Sequence, residues 1–124
     1  MTRHVLIAGP GRAGTTLLMQ ILTRLGYDTG FDATTMHEHI DGISHAGLEI
    51  DPMHAPVLPY VIKWPHFCRD PYPILRRYAI DVVIMPMRLL RDSAASRIRV
   101  ARERGIKGGL WGVDSKDTTA QARW

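Results

Sequence analysis

The chain is 124 residues long, with 45% hydrophobic and 23% charged residues, a balance that fits one globular domain over residues 1–124 and excludes a disordered, collagen-like or low-complexity chain. No apolar run reaches membrane-spanning length, and Met1, Thr2, Arg3 and His4 lead straight into a short apolar segment, so neither a transmembrane helix nor a secretory signal is expected. The net charge of +4 conceals an asymmetry: residues 1–62 carry three basic and six acidic groups, residues 63–124 thirteen and six, so the second half alone holds +7.

Val5-Leu6-Ile7-Ala8 is an unbroken apolar run ending at Gly9, the pattern of a buried strand in a parallel sheet. From Thr15 onward Leu17, Leu18, Ile21, Leu22 and Leu25 recur at helical spacing, and Gly26 supplies a stop. Residues 27–56 scatter His37, His39, His45 and His54 among glycines, aspartates and prolines, which predicts loops and a short helix at most. Tyr60-Val61-Ile62 reads as a second buried strand ending at Lys63, followed by a short helix from Tyr72 to Tyr78. A third apolar strand, Val82-Val83-Ile84-Met85, stops at Pro86, with Arg88 just beyond. Asp92 to Arg104 reads as a helix with Asp92 or Ser93 as N-cap and Ala94, Ala95, Ile98 and Ala101 on its buried side. Gly105, Gly108, Gly109 and Gly112 predict a tail over 105–124 that is flexible or covers a partner.

Strands alternating with helices imply parallel crossovers, so the expected fold class is α/β: a three-layer P-loop-type fold with a short, mainly parallel sheet flanked by helices. Ligands of such folds bind outside the carboxyl ends of the strands, where the Gly9–Gly14 loop, Lys63 and Arg88 would sit. A sheet this short leaves an edge for a second copy or the tail to cover, so a homo-oligomer is one expectation.

Gly9-Pro10-Gly11-Arg12-Ala13-Gly14-Thr15-Thr16 has the glycine spacing of a phosphate-binding loop between a strand and a helix. Gly11 and Gly14 let the backbone curl so that successive amides face one anion, and Thr15 and Thr16 open a helix whose positive dipole end points at it. A nucleoside triphosphatase has lysine where Thr15 stands, and neither Ile62-Lys63 nor Met87-Arg88 offers a magnesium-holding acid. Arg12 is the loop's cation instead, a set that can hold phosphate or sulfate without metal-assisted hydrolysis. Thirteen of the sixteen cations are arginines, whose planar fork suits oxyanions. Nucleic acid is not expected, because no aromatic platform accompanies the basic residues.

Arg12-Ala13-Gly14-Thr15-Thr16 resembles the phosphosulfate-binding loop of the sulfotransferases. Arg88 with Ser96, eight residues on, is similar to the family's strand-end arginine and helix serine, which hold the 3′-phosphate of 3′-phosphoadenosine 5′-phosphosulfate (PAPS). Lys63 looks like the family lysine near the sulfuryl group, and Lys107-Gly108-Gly109-Leu110-Trp111 faintly echoes its adenine-side loop. The resemblance spans roughly residues 3–104 and matches the family's nucleotide-binding front part in short form. It implies a PAPS-dependent sulfotransferase acting on a hydroxyl or amine of a small-molecule or carbohydrate acceptor, with no metal. Gly11, Arg12, Ala13, Gly14, Thr15, Thr16, Arg88 and Ser96 would bind the co-substrate, while Arg12 and Lys63 stabilise charge on the departing phosphate.

The base that takes the acceptor's proton stays open. Where cytosolic family members place a histidine, this chain has Pro65 with His66 next; other members use a carboxylate beyond the loop cation, near Asp32. His66 and Asp32 are therefore the candidates, with Glu38 and His39 behind them. His37, Asp41 and His45 would share one face of a helix, but neither they nor His37-Glu38-His39 match a zinc spacing. Arg97, Arg99, Arg102 and Arg104 read as a solvated helix face, with Arg97 best placed to reach a nucleotide. Trp64, Phe67 and Trp111 read as core or lid aromatics. The single cysteine, Cys68, forms no internal disulfide and fits an inert thiol in a reducing, cytoplasmic compartment. Two rival functions remain: a nucleotide or small-molecule kinase using the late arginines as a lid, and a non-catalytic nucleotide- or anion-binding module.

Overall fold

A computed structural model of the chain describes residues 2–9 and 11–106. The Lys107–Trp111 segment, with the rest of the tail from residue 107 on, lies outside the described residues, as does Pro10. In chain order the elements are β1 (Arg3–Ile7), α1 (Thr15–Arg24), a 3₁₀ turn (Met36–His39), β2 (Val61–Lys63), a second 3₁₀ turn (Pro65–Cys68), α2 (Tyr72–Arg77), β3 (Ala79–Ile84) and α3 (Leu90–Glu103). The three strands form an open, all-parallel sheet in the order β2-β1-β3, so the protein is α/β. No helix among the described residues is long and apolar enough to cross a membrane.

β1 is the central strand, pairing Val5 with Val61 on one side and with Val82 on the other. Flanked twice, it buries Leu6 and Ile7 completely, which is why its apolar run shows no polar alternation. β2 is buried along its whole length. Its outer side meets the chain between the first helix and the sheet: Val61 N–H donates to the Asp28 carbonyl at 2.8 Å, and Ile50 N–H donates to the Lys63 carbonyl at 3.1 Å. β3 carries an equally apolar run but lies at the opposite edge, where Val82 and Val83 are 49% and 36% exposed.

The core gathers Ile7 and Val61 from the sheet, Met19 from α1, and Met36 and Leu48 from the segment that reads as loop in the sequence. That segment is irregular because its apolar residues follow no period, yet it forms one wall of the core. Its only helical piece is the 3₁₀ turn ending at His39, so the helix that would align His37, Asp41 and His45 does not form.

Two helix faces differ from their sequence patterns. α1 buries Thr15, Thr16, Met19 and Thr23, with Leu18 and Leu22 packed on the core, and leaves Leu17, Ile21 and Leu25 exposed. Threonine can replace leucine on the inner face because its hydroxyl finds partners: Thr23 Oγ1 donates to the Met19 carbonyl at 2.8 Å and lies 2.7 Å from Thr29 Oγ1. α3 begins at Leu90 with Leu89 as an N-cap that makes no side-chain bond, so Asp92 and Ser93 stand inside its first turn and do not cap it. The earlier start sets the inner face as Ser93, Ala94, Arg97, Val100 and Ala101; Ala94 and Ala101 are buried as expected, whereas Ala95 is exposed and Ile98 only partly covered.

Candidate functional site

The loop after β1 turns sharply. Gly9 and Gly14 adopt φ of 136° and 100°, and Arg12 takes φ 74°, a left-handed conformation that side chains other than glycine rarely adopt. Gly14 is the N-cap of α1, and no side chain caps the helix, so its first-turn amides, which have no partner within the helix, point toward the loop. The unusual Arg12 backbone is held on several sides. Arg97, buried within α3, donates from Nη1 to the Gly11 carbonyl at 3.0 Å, and Arg88, beyond β3, donates from Nη1 to the Arg12 carbonyl at 3.3 Å. The Arg12 guanidinium donates from Nε to Ser96 Oγ at 2.9 Å and from Nη1 to the Ser44 carbonyl.

These contacts bring together the glycine loop and the Arg88 and Ser96 pair, which are far apart in sequence. They also change the expected pairing, since Ser96 meets Arg12 and not Arg88. Arg97 does not face solvent with its neighbours; it grips the loop from behind, while Arg99 and Arg102 are exposed.

Beside the loop opens a cleft of about 600 Å³, a size suited to a small ligand. Gly11, Arg12, Gly14, Thr15, Thr16, Lys63 and Arg88 all line it; Ala13 and Ser96 do not. Lys63, at the end of β2, is 2% exposed, and its ammonium donates to Thr16 Oγ1, the Gly47 carbonyl and Glu49 Oε1, each at 2.7 Å. Three acceptors match its three protons, which is how a lysine this deep keeps its charge. Burial lowers its pKa, Glu49 opposes that shift, and the like charge of Arg12 adds to it. Arg12 is also pushed down, first by burial and then by the like charges of Arg99 and Arg88.

Arg104, at the end of α3, lines the cleft from the far side and forms an ion pair with Asp41. Around the cleft Arg12, Lys63, Arg88 and Arg104 therefore face one lining carboxylate, Glu49. Crowded guanidinium and ammonium groups of this kind favour an oxyanion, whose charge relieves their mutual repulsion.

Neither proton acceptor suggested by the sequence lines the cleft. His66 sits in the second 3₁₀ turn with its ring 4.9 Å from that of Trp64. Asp32 closes a local turn, accepting the Thr34 N–H at 2.8 Å together with the Thr34 hydroxyl, and that bonding holds its carboxyl below the usual range. Glu38 and His39 are exposed on the first 3₁₀ turn and do not line the cleft either. The cleft's own acid–base groups are Glu49 and His45. Nothing in its local sequence marks Glu49, and His45 stands out only as one of several scattered histidines, because both reach the site through the irregular path of residues 27–56.

Compared with known proteins, the chain matches no family model, no curated protein and no solved structure.

Proposed function

We propose that the protein has a P-loop-type nucleotide site and is a PAPS-dependent sulfotransferase, moving a sulfuryl group to the hydroxyl or amine of a small-molecule or carbohydrate acceptor. The observation that carries this reading is the meeting of two motifs: Ser96 and Arg88, 84 and 76 residues from Arg12, contact it at 2.9 and 3.3 Å beside one cationic cleft. An isolated glycine loop would support only anion binding; a loop joined to a strand-end arginine and a helix serine supports recognition of a second phosphate.

In this reading Arg88 holds the 3′-phosphate, and Ser96, which accepts from Arg12 behind the cleft lining, positions that guanidinium. Arg12 and the first-turn amides of α1 stabilise the phosphate that departs with its electron pair as the acceptor attacks sulfur. Lys63 sits between the loop and Glu49 and takes up part of that charge. Glu49 is the carboxylate available in the cleft to receive the acceptor's proton. The single cysteine fits a reducing, cytoplasmic setting.

The Lys63–Glu49 pair favours a second reading, a nucleotide-binding module without catalysis. An ammonium held at 2.7 Å stabilises the Glu49 carboxylate and makes it a weaker base.

Thermal unfolding in the presence of adenosine 3′,5′-bisphosphate tests the binding claim. The ligand should raise Tm without magnesium, and Arg88→Ala should remove most of the shift. Stronger stabilisation by ATP with magnesium would overturn the assignment in favour of a kinase. Bisphosphate binding without sulfuryl transfer to any member of a broad panel of hydroxyl and amine acceptors would select the binding module.

A further inference from the structure

Residues 41–48 form a strap whose contacts fall on the cations of the cleft. Its base is fixed: Ile40 and Gly47 form an antiparallel bridge, Leu48 is buried in the core, and Lys63 holds the Gly47 carbonyl at 2.7 Å. Its tip is exposed at Gly42, Ile43, His45 and Ala46. Within the tip the Asp41 carboxylate accepts the N–H groups of Ile43 and Ser44 at 3.1 and 2.6 Å and the Ser44 hydroxyl at 2.7 Å, so the tip is one stiff turn. Two side chains tie that turn down across the cleft. Arg12 donates to the Ser44 carbonyl, and Arg104 pairs with Asp41.

The backbone favours release. Within the tip His45 adopts φ 55°, and a non-glycine residue in the left-handed region persists only where surrounding contacts impose it. Arg12 and Arg104 supply such contacts. Both also line the cleft; for Arg12 a phosphate or sulfate oxygen is a stronger partner than the neutral Ser44 carbonyl, and Arg104 would exchange one oxyanion for another.

We propose that the 41–46 tip is an autoinhibitory strap: the Ser44 carbonyl and the Asp41 carboxylate hold Arg12 and Arg104 in place of ligand oxyanions, and ligand binding lifts the tip while its Gly47–Leu48 base stays put. This rests on the oxyanion-binding reading of the cleft and adds its regulation. The strap lowers apparent affinity by the fraction of molecules in which it is closed, so whatever loosens it tightens binding.

Two measurements on the full chain, with adenosine 3′,5′-bisphosphate and inorganic sulfate as probes, test the idea. Asp41→Asn keeps an acceptor for the turn but removes the ion pair with Arg104, and calorimetric titration should show it binding the bisphosphate about three- to tenfold more tightly than the unaltered chain. In the unaltered chain, amide hydrogen exchange at Ile43 and Ser44 should speed up on saturation with the bisphosphate, a readout that does not depend on the variant folding. Equal or weaker binding by Asp41→Asn, or exchange that slows or stays constant, overturns the strap and leaves the oxyanion site standing. If neither probe binds either protein, the oxyanion reading fails and the strap falls with it. Binding confined to Asp41→Asn would support both.

Discussion

The two flanks of the sheet end in cations that live in opposite surroundings. On the β2 side the chain folds back over the strand, Asp28 and Ile50 meet its outer edge, and Lys63 is enclosed with all three of its protons placed. On the β3 side the edge strand exposes Val82 and Val83, and Arg88 beyond it is exposed, with one 3.3 Å bond to the Arg12 carbonyl. The sequence patterns of the two strand ends look alike, an apolar run followed by a basic residue. The difference between them is tertiary. One cation has every proton committed to the fold and acts on the cleft through its charge alone, and the other is left available to bond a ligand.

The comparison makes its largest claim about stability. Lys63→Met should destabilise the protein by about 2–4 kcal/mol, because it leaves the buried Thr16 hydroxyl and the Gly47 carbonyl without their shared donor and the exposed Glu49 carboxylate without its cation. Arg88→Ala, by contrast, should fall within about 0.5 kcal/mol of the unaltered chain, as exposed substitutions usually do. Urea unfolding of both variants measures the pair, and similar losses would erase the distinction between the flanks. A second test stays on the closed flank. At Gly47, with φ 148°, an added Cβ would stand 2.0 Å from the His39 carbonyl oxygen. Gly47→Ala should therefore lose about 2–3 kcal/mol, since neither the backbone angle nor the neighbouring carbonyl can accommodate it. An unchanged unfolding midpoint would contradict the close packing of Gly47 against His39.

The smallest expected effect is a pH dependence. Hydrogen bonding from Arg104, then from the Ser44 amide and hydroxyl, holds the Asp41 carboxyl well below its ordinary 3.8. A folded-state pKa depressed in this way stabilises the folded state above the ordinary carboxylate value, and the contribution is lost as pH falls through about 4 and lower. Melting curves from neutral pH into acid should show Asp41→Asn losing less stability than the unaltered chain. Parallel acid limbs would show that the Asp41–Arg104 pair adds nothing to the folded state.

What the sequence revealed depended on how local each signal was. β1, α1 and β2 are legible because unbroken apolar runs and a leucine repeat are punctuated by Gly9 and Gly26. The glycine loop is legible for the same reason, its spacing being contained within a few residues. The inner face of α3 is not, because it turns on Arg97 reaching the Gly11 carbonyl from the far end of the chain. Glu49, Ser44 and Gly47 are illegible as site residues for a related reason. They belong to a segment without periodicity, and only the way it folds against Lys63 and Arg12 gives them a role. His66 and Asp32 show the reverse case: their spacing suggested a role, but the turns that contain them direct them away from the cleft.

The central position of β1 also bears on how the molecule forms. β1 precedes both of its partners in the chain, and both lie far downstream, Val61 on one side and Val82 on the other. No hairpin can form early to shelter it, and each pairing closes a long loop before any contact rewards it. Leu6 and Ile7, fully buried in the finished sheet, thus wait uncovered until both partner strands have been made. Folding should be slow for so small a chain, and the stretch most in need of protection by chaperones is the one that ends up at its centre.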